Sequence, residues 1–108
     1  MAERQSPQSF TFAAGESFIL DFDVDQVITG MTVRFAAKRN SLATAVLSTA
    51  GATASASITG TQECRITVVD ENTENLLGTY RYSVEIEDGN GDKSEVAFGF
   101  LTFTPSMV

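Results

Sequence analysis

Histidine and tryptophan are missing from these 108 residues, cysteine occurs once, at Cys64, and proline only twice. Each absence removes a class of chemistry. Without histidine there is no Ser-His-Asp or Cys-His nucleophile pair and no ordinary zinc site, and a single cysteine closes no internal disulfide. Cations are scarce too: seven Lys and Arg stand against fourteen Asp and Glu, a net charge of −7. The molecule as a whole therefore repels polyphosphate and anionic lipid, so neither nucleic acid nor a membrane is expected as a partner. No apolar run approaches the roughly 20 residues of a membrane-spanning helix. Glu3 and Gln5 also interrupt the start, where a secretory signal carries an apolar stretch. The chain reads as a mature soluble protein. Its length suits a single domain, residues 1–108, with short flexible termini at about 1–9 and 105–108.

What is present is apolar residues at every second position, the spacing of a strand with one face on a core. Phe18, Leu20, Phe22 and Val24 alternate with Ile19, Asp21, Asp23 and Asp25. Met31, Val33, Phe35 and Ala37 repeat the pattern after the turn signal Thr29-Gly30, and Cys64, Ile66 and Val68 repeat it again. Tyr80, Tyr82, Val84 and Ile86 run into Asp88-Gly89-Asn90-Gly91-Asp92, a segment rich in residues that tolerate positive φ. That predicts a hairpin. The returning strand carries Val96, Phe98, Phe100 and Thr102 on one face and Ala97, Gly99, Leu101 and Phe103 on the other, so it is expected to be covered on both sides near its end, before Pro105.

Two segments alternate less well. Residues 41–58 are almost wholly Ala, Ser, Thr and Gly around Leu42, Val46 and Leu47. They suit a thin edge strand near Ala45–Leu47, a turn at Gly51 and a strand near Ala54–Ile58, with a helix from Ser41 as the competitor. The acidic, polar stretch from Asp70 to Leu77 is too short for more than one helical turn and is expected to cross between sheets. The whole pattern predicts an all-β fold, an immunoglobulin-like antiparallel β-sandwich of six to eight short strands, with a small closed barrel as the rival.

The ionisable residues point to surface chemistry. Asp21, Asp23 and Asp25 project from one strand face, where Arg34 and Lys38 are expected to neutralise them across the sheet without calcium. Asp88 to Asp92 resembles the start of an EF-hand loop, but Lys93 stands where that loop needs Gly and Gly99 where it needs Glu. Glu85 and Glu87 fall on an outward face with nothing apolar beside them to shift a pKa. Cys64, in step with Ile66 and Val68, is expected to be buried and inert. No catalytic, metal or cofactor residues are assigned, and no enzymatic activity is expected. Gly78 and Tyr80 resemble the tyrosine corner of immunoglobulin-like sandwiches, a structural device in which the hydroxyl bonds back to the preceding crossover. Tyr82 then falls where antibody domains carry their second bridging Cys. Phe103, opposite in face to Phe100, is the best candidate for an exposed aromatic.

The order of these features resembles the small immunoglobulin-like domains of tailed-phage virions, such as those at the N-terminus of baseplate upper proteins and in stand-alone tail or fibre-attachment proteins. The segments that carry the resemblance are Thr29–Phe35 (T-G-x-T-V-R-F), Leu76–Tyr82 (L-x-G-T-Y-x-Y) and Gly99–Phe103 (G-x-L-T-F), within a similarity running from Phe10 to Thr104. The resemblance implies a non-enzymatic structural protein of the virion, assembled in the host bacterial cytoplasm as a tail/fibre adaptor or baseplate component. Its partners would be other virion proteins, of tail, fibre, portal or capsid, and further copies of itself in a homo-oligomer. Head decoration and a carbohydrate or cell-surface binding module are the alternatives.

Overall fold

The computed structural model describes residues 8–40 and 43–105. Eight strands follow one another: β1 (Phe10–Ala13), β2 (Phe18–Asp23), β3 (Thr32–Lys38), β4 (Leu47–Ser48), β5 (Ser55–Gly60), β6 (Glu63–Val68), β7 (Gly78–Glu87) and β8 (Lys93–Thr104). The only helical element among the described residues is one 3₁₀ turn at Asp70–Asn72. Two sheets form, one ordered β1-β8-β7-β3-β4 and one ordered β2-β6-β5. Lettered A, B, C, C′, D, E, F, G along the chain, they read A-G-F-C-C′ and B-E-D. That is the Greek-key order of an immunoglobulin-like sandwich, not of a closed barrel.

The alternating apolar positions meet between the sheets. Phe18, Leu20, Phe22, Phe35, Ile66, Val68, Tyr82, Val84 and Leu101 all lie in one buried cluster. Burying each large side chain contributes about 1.5–3 kcal/mol, which holds two otherwise polar sheets together. Antibody domains pin their sheets with a disulfide beside a tryptophan. Here three rings take that position: Phe22 of β2 lies 5.9 Å and Phe35 of β3 lies 6.0 Å from the ring of Tyr82.

Residues 41–58 follow the strand reading where they are described. β4 is a two-residue edge on β3, the chain turns through residues 49–53, and β5 edges the smaller sheet. The helical alternative would start at Ser41, which with Leu42 lies outside the described residues; from Ala43 to Ile58 no helix forms. Asp70 to Leu77 carries the chain from β6 in one sheet to β7 in the other, as its composition suggests. Thr73 anchors it: fully buried, its hydroxyl stands 3.0 Å from the Glu16 carbonyl and 3.1 Å from that of Asp70.

β1 departs from the antiparallel expectation. It runs parallel to β8, Phe10 opposite Leu101 and Phe12 opposite Phe103, and at four residues it is too short to carry a clear alternation signal. The pairing is parallel because the chain leaves β1 for the other sheet through a turn at Gly15 (φ 84°), so its sheet neighbour arrives from the far end of the sequence.

The terminal segments 1–9 and 105–108, expected to be flexible, fall largely outside the described residues. Gln8 does not behave as a loose end. Its N–H donates to the Phe98 carbonyl (3.0 Å) and its carbonyl accepts from the Tyr82 hydroxyl (2.7 Å). Gly99 makes room for this: a Cβ there would overlap the Gln8 carbonyl oxygen and stand 2.7 Å from the carbon behind it.

Candidate functional site

The tyrosine-corner pair sits where β7 begins. Gly78 adopts φ 91°, a left-handed conformation that other residues enter at a cost, and Tyr80 follows with its ring buried. The hydroxyl reaches the crossover through an intermediary. Arg39 Nη2 donates to Tyr80 Oη at 2.8 Å and lies 3.1 Å from the Leu77 carbonyl, with the guanidinium 4.7 Å from the Tyr80 ring centroid. Arg39 has no sequence signal for this role, since it follows the end of its strand and meets Leu77 only in three dimensions. Gly78 and Tyr80 lie at the start of β7 in the larger sheet, with the Tyr80 ring on its inner side.

The outer side of that sheet is where exposed chemistry collects. Register places Lys38, Arg81 and Phe100 in one row across β3, β7 and β8. The next row is Ala36, Ser83 and Phe98, and the next Arg34, Glu85 and Glu95. Small Ala36 and Ser83 in the middle row leave a shallow trough of about 350 Å³, with Lys38, Asn40 and Arg81 at one end and Glu85 and Glu95 at the other. Arg81 leans over the Phe98 ring at 5.7 Å, away from Lys38, while Arg34 is taken up by Glu87 at 2.8 Å.

Phe100 is 46% exposed on this face, whereas Phe103 is buried at 2%, the reverse of the sequence expectation. Register decides it. Tyr80, Tyr82 and Val84 point to the core, so their partners Leu101, Gly99 and Ala97 do as well, and Phe103 lies in step with Leu101. A bulge, at which Val84 pairs with Ala97 but Glu85 with Glu95, skips Val96 and buries both Val96 and Ala97.

The remaining candidates resolve into surface or core roles. Arg34 and Lys38 belong to the sheet opposite β2 and do not meet its aspartates; Arg65 of β6, the register partner of Asp21, does, at 2.7 Å. That hydrogen bond and the Asp21 charge raise the Arg65 pKa. Among the described residues, no three His, Cys, Asp or Glu side chains gather as a metal site would require. The Asp88–Asp92 segment closes the β7–β8 hairpin, Asp88 Oδ1 accepting from the N–H groups of Asn90 (2.9 Å) and Asp92 (3.0 Å). Cys64 is fully buried, and burial, with the Asp21 charge adding to it, pushes its thiol up to about 11. Burial likewise pushes the Tyr82 hydroxyl up to about 12. Neither group is poised to react near neutral pH.

No family model matches the chain, and no curated protein matches its sequence.

Proposed function

We propose that this protein is a non-enzymatic structural component of a tailed-phage virion, at a tail, fibre-adaptor or baseplate position, working through contacts with other virion proteins. One observation carries the reading. The three segments of the phage-type resemblance belong to one sheet: the start of β7 pairs with the end of β8, and the third segment enters β3 at the opposite end of the same sheet. The outer face of that sheet is broad and of mixed charge, with Phe100 exposed on it. A shallow, wide surface of that kind suits protein contact better than enclosure of a small molecule.

The test is mass spectrometry of purified particles, with density assigned by electron microscopy. The reading expects the chain in stoichiometric amounts at the tail, fibre junction or baseplate. Presence on the capsid surface would replace it with head decoration, and absence from particles would end it. Carbohydrate binding gains one observation from the structure, the exposed Phe100 ring beside Arg81, as an aromatic platform for a sugar. A glycan array without hits removes it.

A further inference from the structure

Two cations on the outer face of the β3-β7-β8 sheet face each other without a counter-charge. Arg34 is paired with Glu87 and Arg65 with Asp21, while Arg39 donates to the Tyr80 hydroxyl and the Leu77 carbonyl. Lys38 and Arg81 instead stand directly opposite one another on β3 and β7, and among the described residues no carboxylate pairs with either. Like charges opposed on neighbouring strands destabilise a sheet, and an anion held between them offsets that repulsion. Both line the same end of the trough on this face.

We propose that this trough binds an acidic saccharide, with the carboxylate of a sialic or uronic acid between Lys38 and Arg81 and the sugar hydroxyls toward Ser83 and Glu85. The ends of the trough ask for different chemistry. Arg81 and Glu85 lie four residues apart on β7, roughly 13 Å at strand rise, with small Ala36 and Ser83 between the two ends. A ligand that fits both carries negative charge at one end only and hydrogen-bond donors along the rest. Sugar hydroxyls donate to carboxylates and to serine, and a saccharide needs no enclosure, so a shallow trough suffices. Phe100, beside Arg81 in register, extends the surface with an exposed ring for the C–H face of a sugar.

Charge decides between this ligand and other anions. A polyphosphate, or a run of Asp and Glu in a partner protein, is negative along its whole length and meets repulsion from Glu85 and Glu95 at the far end. A saccharide with one carboxylate does not. The net charge of −7 opposes any anion at a distance, but charges more than about 8 Å away are largely screened at physiological salt, so the site answers chiefly to its own side chains. The inference rests on the carbohydrate reading and not on a place in a particle.

The experiment is an NMR titration of the isotope-labelled full chain with sialyllactose, with trigalacturonate and with lactose as the neutral sugar. At least one acidic sugar should move the backbone amide signals of Lys38, Arg81 and Ser83, and which one does so identifies the source of the carboxylate. Lactose should bind roughly tenfold more weakly or worse. Lys38→Gln and Arg81→Gln should each weaken the acidic sugar roughly tenfold, whereas Arg34→Gln, on the same face but paired with Glu87, should leave it unchanged. A melting curve on each variant establishes that the sandwich is folded. The proposal is overturned if neither acidic sugar moves those signals or if the Lys38 and Arg81 variants bind undiminished. Lactose binding as tightly as the acidic sugars also overturns it while leaving the carbohydrate reading in place. A poly-glutamate peptide that binds more tightly than either acidic sugar replaces the saccharide with an acidic segment of a partner protein.

Discussion

A single missing side chain decides how this chain begins. Gly99 lies on the core face of β8 with the Gln8 backbone where its Cβ would be, and Tyr82 clamps that backbone with its hydroxyl. Gly99→Ala should therefore displace the first strand, lowering stability by about 1–3 kcal/mol in urea unfolding and opening the N-terminal segment to limited proteolysis. Tyr82→Phe keeps the ring contacts and leaves the Gln8 carbonyl without its donor, at about 1–2 kcal/mol. Neither role is legible in sequence, where Gly99 reads as a weak strand residue and Tyr82 as one more inward apolar position.

The titrations of Tyr82 and Cys64 belong to the same scale. Both hold their protons longer in the folded protein than the ordinary values of 10.0 and 9.0. Above those values the unfolded chain loses protons that the native state keeps, so stability falls with rising pH. The Cys64 contribution is intact below about pH 9 and lost by about 11; that of Tyr82 is intact below about 10 and lost by about 12. Urea unfolding at a series of alkaline pH values should show the decline, and Cys64→Ala should remove the part that begins near pH 9.

At the scale of elements, the longer strands with one fully covered face were readable and the short, partly covered one was not. β2, β3, β6 and β7 bury alternate residues, so a period of two exposes them in the sequence. β1 is four residues long, with Phe10 and Phe12 only partly buried, and its partner β8 lies at the other end of the chain. The β7–β8 hairpin was legible for the opposite reason, because its signal is local. Asp88 organises the loop through two backbone N–H groups, and Asp88→Ala should cost about 1–2 kcal/mol with the fold unchanged. Calcium should leave the melting temperature of the protein as it is, since Asp21 already has Arg65 across the strand pair; a rise of several degrees on adding it would contradict that assignment.

For the molecule as a whole, the sequence by itself determined the fold class, most of the core and the exclusion of histidine-based catalysis. Period-two burial and composition are local properties, and each is written residue by residue along the chain. Tertiary structure alone decided which groups meet across it. Gln8 lies on Gly99, Arg39 on Tyr80, and Arg65 rather than Arg34 or Lys38 meets Asp21. Register did the same for the surface, burying Phe103, exposing Phe100 and lining up Lys38 with Arg81. The physical reason is common to all of these. Alternation says that a residue faces in or out, but its neighbour is chosen by strand order, bulges and the pairing of segments distant in sequence, which exist only once both sheets have formed.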